Sequence, residues 1–277
     1  MGAKVRIGAV SYLNTRPLVF GFDQGVASDR VDLSYDVPSV LADRMAAGEL
    51  DVALLPSIEV ARIGNLAIVP GLAITADGPV KSVLLVSNKP IEKIRSVALD
   101  PESRTSNALT RILFATHWNV RPSFAAGPRD LDLALSEFDA TVRIGDKALF
   151  DPVPPGCAAH DLGAAWKEMT GLPFVYAVWA AKPGVVDRPL YRAFHLSRRL
   201  AGQVLETIGA DYTWRGAQHP SIAIPYLTDN MRYRLGSQEA KALRLFWRLA
   251  AGLGILDHAP EPVIAFYSDN VNACVRR

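Results

Sequence analysis

The feature that most narrows the folds open to this chain is the alternation in its first third. Short β-branched runs at Val5 to Val10, Val31 to Val37 and Asp51 to Leu55 are separated by helical patterns that begin near Pro17 and at Ser39. Single helices between strands predict an α/β sheet with short crossovers. The helix after Val37 is well punctuated: Pro38 and Ser39 suit its start, Leu41 and Met45 share a face, and Gly48 suits its end. Asp51 to Leu55 is almost wholly apolar, as a strand covered on both faces would be.

A second block repeats the pattern. Ser96 to Leu99 reads as a strand, and Thr105 to His117 as a helix with Leu109, Ile112 and Leu113 at helical spacing. A strand at Asn119 to Phe124, a helix near Asp130 to Ser136 and a strand at Asp139 to Ile144 follow. Two long strand-like runs, Val80 to Ser87 and Phe174 to Ala181, are placed to carry the chain into and out of this block. After Pro183 the pattern turns helical, with one stripe through Leu190, Phe194, Val204, Leu205 and Ile208 and another through Leu243, Phe246, Leu249 and Ala250. The expectation is a two-lobed α/β protein with two crossover strands. Its first lobe is discontinuous (1–80 plus 180–277), the second (81–179) is inserted, and a cleft lies where the connections cross.

Composition removes several function classes. With 277 residues and 49% of them hydrophobic, the chain can bury a large core. Its net charge of +2 is too small to argue for nucleic acid or an anionic membrane. The best apolar run, Phe174 to Ala181, is far below the roughly 20 residues needed to span a bilayer. The N-terminus lacks a secretory pattern, so a cytoplasmic location is expected. Cys157 and Cys274 sit far apart, with no metal or redox spacing, and read as structural. The five histidines form no metal or triad signature, and no phosphate-binding glycine loop occurs.

In an open α/β sheet the ligand lies beyond the carboxyl ends of the strands. That rule selects Ser11 to Pro17, Pro56-Ser57, Ser103 to Ser106 and Gly145-Asp146. Ser103 to Ser106 opens a helix, where free N–H groups and the dipole favour an anion; simple capping by Ser103 or Thr105 is the alternative. Asn14 either orients a ligand through its amide or satisfies its own turn. Asp146 reads as a helix cap neutralised by Lys147, Asp161 as the opener of the helix carrying Trp166, and Ser82 as a strand hydroxyl facing cleft or solvent.

The segment from Gly8 to Leu18, GAVSYLNTRPL, resembles the N-terminal signature of the chorismate dehydratases of the menaquinone pathway that proceeds through futalosine. Ser103-Arg104-Thr105-Ser106, Ile144 to Leu149, and Asp161-Leu162-Gly163 with Trp166 and Thr170 to Phe174 are similar to further blocks of that family, in the same order. Beyond residue 180 the match extends only to length and helical character. The resemblance implies a fold like the type II periplasmic binding proteins and a lyase that removes water from chorismate, giving 3-[(1-carboxyvinyl)oxy]benzoate. It implies no cofactor and no metal. It places Asn14 and Ser82 in the active site, and with the strand-end rule Ser11, Tyr12, Ser57, Thr105, Ser106 and Asp146 are the substrate-binding candidates for a dicarboxylate. A sister synthase of the same fold, which makes 1,4-dihydroxy-6-naphthoate, relies on a histidine near the end of the strand corresponding to Asp139 to Ile144. Here that region reads Arg143-Ile144-Gly145-Asp146 and has no histidine. A non-catalytic small-anion binder of the same layout is the other alternative.

Overall fold

The computed structural model describes residues 3–264, so Cys274 lies outside the described residues. The first lobe starts as β1 (Val5–Val10), α1 (Arg16–Asp23), β2 (Val31–Asp36), α2 (Pro38–Ala46), β3 (Val52–Pro56), α3 (Ser57–Ile63) and β4 (Ala67–Ala76). β1 pairs in parallel with both β2 and β3. Pro38 stands in the first turn of α2, where its missing N–H costs nothing, and all five residues of β3 are buried. β4 does not stand out in the sequence because Pro70-Gly71, with Gly71 at φ +82°, breaks its run.

The second lobe holds β5 (Val83–Ser87), β6 (Ser96–Leu99), α4 (Arg104–Thr116), β7 (Ser123–Ala126), α5 (Leu131–Glu137), β8 (Ala140–Ile144), α6 (Gly145–Phe150), β9 (Ala158–Asp161) and α7 (Leu162–Thr170). Its sheet runs β7-β6-β8-β5-β9. The strand expected from Asn119 begins only at Ser123, because Asn119 adopts φ +56° and Pro122 follows before the ladder.

The chain then returns as β10 (Phe174–Ala181), which enters the first sheet antiparallel between β3 and β4. α8 (Arg188–Gly202), α9 (Leu205–Asp211), the two-residue strands β11 (Thr213–Trp214) and β12 (Ala217–Gln218), α10 (Pro220–Pro225), β13 (Met231–Arg232) and α11 (Ser237–Gly252) complete it. The first sheet is ordered β13-β4-β10-β3-β1-β2. The single stripe expected from Leu190 to Ile208 is divided: the helix stops at Gly202 and restarts at Leu205, leaving Val204 and Ile208 only half-buried. α8 instead buries Leu190, Phe194 and Ser197 against α1. There Ser197 Oγ accepts from Gly21 N at 2.9 Å, and a Cβ on Gly21 would stand 2.5 Å from Ser197 Cα. Phe194 is wedged between Phe22 and Trp179, and truncating such a ring costs about 3–5 kcal/mol. α11 buries Leu243, Phe246, Trp247 and Ala250, with Leu249 half-exposed.

The lobes are joined by residues 77–82, from β4 to β5, and by 171–173, from α7 to β10. The first crossing is held by one carboxylate. Asp161 accepts from Val80 N (3.0 Å) and Lys81 N (2.7 Å) while also capping α7 through Gly163 N and Ala164 N. Its expected role as helix opener is met, and the clamp is an addition.

Candidate active site

A cavity lies between the lobes where they cross. From the first lobe Val10, Tyr12, Asn14 and Pro56 line it; from the second, Ser103, Thr105, Ser106 and Gly145; at the crossings, Val80, Ser82 and Tyr176. Among the described residues the wall carries no carboxylate, amine, guanidinium or imidazole. No group of three or more His, Cys, Asp or Glu side chains there is arranged to hold a metal ion.

Asn14 sits in a 3₁₀ turn, Leu13–Thr15, directly after β1. The turn is pinned from the opposite lobe, because Leu13 N donates to Asp146 Oδ1 at 3.1 Å. Ser82, 1% exposed, stands at the end of the first crossing, and its Oγ lies 2.8 Å from the Tyr226 hydroxyl. Ser82 O accepts from Gly145 N at 2.8 Å. Gly145 itself must be glycine: its φ is +65°, and a Cβ would meet the Tyr12 ring at 2.8 Å.

The capping reading of the α4 start holds, and the same residues reach the cavity. Ser103 Oγ caps the helix by accepting from Ser106 N at 3.3 Å, while Ser103, Thr105 and Ser106 all line the cavity. Thr105 Oγ1 accepts from Ile58 N at 3.2 Å across the lobes. Arg104 spans the same gap, binding Glu59 at 2.7 Å and Asp43 at 2.6 Å. With these bonds made, the lobes are closed on one another.

Three expected binding residues lie off the wall. Ser57 is fully buried and donates to Val175 O at 2.7 Å. Ser11 is bonded through its backbone to Asp36 O. Asp146 is not the cap of α6 and is not neutralised by Lys147, which pairs with Glu102 at 3.1 Å. It stands behind the wall and accepts from Leu13 N and from the Tyr212 hydroxyl at 2.5 Å. Burial pushes its carboxyl above the ordinary carboxylate value, against the opposing pull of these two hydrogen bonds and of Arg16. Tyr12 contributes its ring to the cavity but donates its hydroxyl to Glu102 at 3.2 Å; burial first, and then Glu102, holds that phenol far above its usual value.

Sequence reasoning missed Tyr226 and Tyr176. Tyr176 is inside the apolar run of β10, and Tyr226 lies in the C-terminal third, where no motif marks it.

Two α/β lobes meeting over a hydroxyl- and amide-bearing cavity define a two-lobed α/β protein with an interlobe cavity. The chain belongs to the menaquinone biosynthesis family, which it matches over residues 5–252. It is 29% identical over 268 residues to the chorismate dehydratase of Thermus thermophilus, covering 90% of this chain and 95% of that protein. It is 33% identical over 192 residues to the chorismate dehydratase of Campylobacter jejuni, covering 67% and 70%. In structure it is similar to AF1704 from Archaeoglobus fulgidus (TM-score 0.73, 15% identity, covering 91% of this chain and 98% of that one). The periplasmic aliphatic sulphonate binding protein SsuA from Escherichia coli is also similar (TM-score 0.61, 16% identity, 94% and 96%). The fold is thus of the periplasmic-binding-protein kind, as the sequence resemblance implies. No helix among the described residues is long and apolar enough to cross a membrane.

Proposed function

We propose that this chain is a chorismate dehydratase, a lyase that converts chorismate to 3-[(1-carboxyvinyl)oxy]benzoate in the futalosine route to menaquinone. The family membership and the two dehydratase relatives support the assignment. The observation that carries the mechanism is the cavity wall, which among the described residues offers hydroxyls, one amide and a helix start but no carboxylate, amine or imidazole. Chorismate brings two carboxylates. The first turn of α4, with the Thr105 and Ser106 hydroxyls, supplies donors for an anion without a formal charge.

In the proposed reaction a substrate carboxylate accepts the C3 proton, and the C3–H electron pair becomes the third double bond of the ring. The C4–O bond breaks, and the departing hydroxide takes that proton from the carboxylate and leaves as water, returning the carboxylate to its anion. Aromatisation drives the step, so the protein's task is orientation. Asn14 and Ser82 hold the reacting carboxylate and hydroxyl; neither side chain is a base at neutral pH. Asp146, turned away toward Leu13 and Tyr212, supports closure and takes no part in the proton transfer.

The test is to incubate the purified chain with chorismate alone and follow loss of one water by mass. Turnover without added cofactor is expected. Binding without product would favour a solute-binding role, and turnover only of a cyclic futalosine derivative would favour the sister synthase. Asn14→Asp is expected to be slower than wild type by about a hundredfold, in the range of misplaced or repelled reacting groups. A faster Asn14→Asp would show that a protein base is preferred and would remove the substrate-assisted account.

A further inference from the structure

The C-terminal third brings a phenol to the crossing, where it meets Ser82. Tyr226 is 2% exposed and opens a π-helical turn, Tyr226–Asn230, directly after α10. Turns of this kind are uncommon and recur at functional sites. Its hydroxyl is 2.8 Å from Ser82 Oγ. The turn is tied to the same crossing at a second point, since Asn230 Nδ2 donates to Pro79 O at 3.0 Å.

A phenol has one proton to give and lone pairs to receive with. When Tyr226 donates to Ser82 Oγ, the proton of Ser82 is freed to point into the cavity. The reverse orientation would leave Ser82 presenting only lone pairs, which repel a carboxylate. We propose that Tyr226 is a positioning residue of the reaction, fixing the proton direction of Ser82 so that its O–H faces the substrate anion. The inference rests on the dehydratase reading and extends it to a residue that no part of the N-terminal signature contains. Burial holds the Tyr226 phenol far above its ordinary value, so the proton is present throughout the neutral range.

The experiment is a double-mutant cycle on chorismate dehydration with wild type, Y226F, S82A and Y226F/S82A. Y233F serves as a control that removes a buried phenol hydroxyl with no hydrogen-bond partner. Y226F is expected to lower kcat about tenfold with KM within about twofold, and the double variant to be no slower than S82A, because the two hydroxyls act as one unit. Y233F should leave kcat and KM unchanged. A loss caused only by softened packing would recur in the S82A background, so multiplying losses overturn the proposal, as does a Y226F with wild-type kcat. Those outcomes leave the dehydratase reading intact if wild type is active. A wild-type chain that leaves chorismate unchanged overturns both together.

Discussion

Asp146 and Asp161 make an instructive pair, since each sits where a strand of the second lobe turns into a helix. Asp161 does what its position suggests, capping α7, and adds a clamp on the adjacent crossing through Val80 N and Lys81 N. Asp146 does not cap α6; it reaches across the cleft to Leu13 N and the Tyr212 hydroxyl. One carboxylate therefore braces the crossing and the other ties the two lobes together. The difference arises from the turn before each helix. β9 leads through Asp161 itself in extended conformation, while Gly145 at φ +65° carries the chain past the capping position before Asp146 is reached.

The largest effect that separates the two is expected from Asp161→Ala. The substitution removes a helix cap and the acceptor for two crossing amides, about 3 kcal/mol in all. For a chain of this size that lowers the melting midpoint by roughly 6–12 °C. Ser82 follows the clamped residues directly, so kcat should also fall by about tenfold in measurements well below the melting range. If Asp161→Ala melts like wild type, the clamp is ornamental and the contrast with Asp146 fails.

What the sequence disclosed follows the range of the interactions involved. The α2 start at Pro38 and the α7 cap at Asp161 depend on residues within one helical turn, and both were readable. The wall positions of Tyr12, Asn14, Thr105 and Ser106 follow from the rule that ligands lie beyond strand ends, and with Ser82 five of the candidates meet at the cavity. Ser57 obeys the same rule but turns inward to Val175 O, and no local signal distinguishes a hydroxyl that turns in from one that turns out. Asp146 and Leu13 are 133 residues apart and Ser82 and Tyr226 are 144 apart, so their pairing exists only after the lobes close and the C-terminal helices return. Nor could β4 be read through Pro70-Gly71, because its ladder is completed by β10 and β13 from far along the chain.

Asp146→Asn should act on closure rather than on the hinge. An amide can still accept one of the two hydrogen bonds but opposes the other donor, so the closed state weakens. KM for chorismate is expected to rise about tenfold, the equivalent of roughly 1.4 kcal/mol, with kcat changed by less. Steady-state kinetics that showed the loss in kcat alone would instead put Asp146 in the chemistry. A pH series sharpens the point. Because the folded protein raises the Asp146 carboxyl above its unfolded value, its stability contribution is full below the unfolded pKa and is lost as pH rises through the folded one. The midpoint of wild type relative to Asp146→Asn should therefore improve as pH falls from about 7 toward about 4. Thermal melts in which the difference moves the other way would mean that the bonds from Leu13 and Tyr212 outweigh burial.

The smallest effect is expected from Tyr212→Phe, and it divides the Asp146 contribution between its two partners. The ring of Tyr212 stacks near Phe150, and Phe preserves that contact while removing only the hydroxyl. Leu13 N remains on Asp146 Oδ1, so the turn that presents Asn14 keeps its anchor. With one of two donors gone, KM should rise about threefold, less than for Asp146→Asn, and kcat should stay near wild type. Losing a donor also leaves burial less opposed, so the Asp146 carboxyl moves further up and the pH dependence of the melt becomes steeper than in wild type. Kinetics and melts on the one variant thus read the two halves of the clasp separately. A Tyr212→Phe as impaired as Asp146→Asn would assign closure to the Tyr212 bond and leave Leu13 as a passenger.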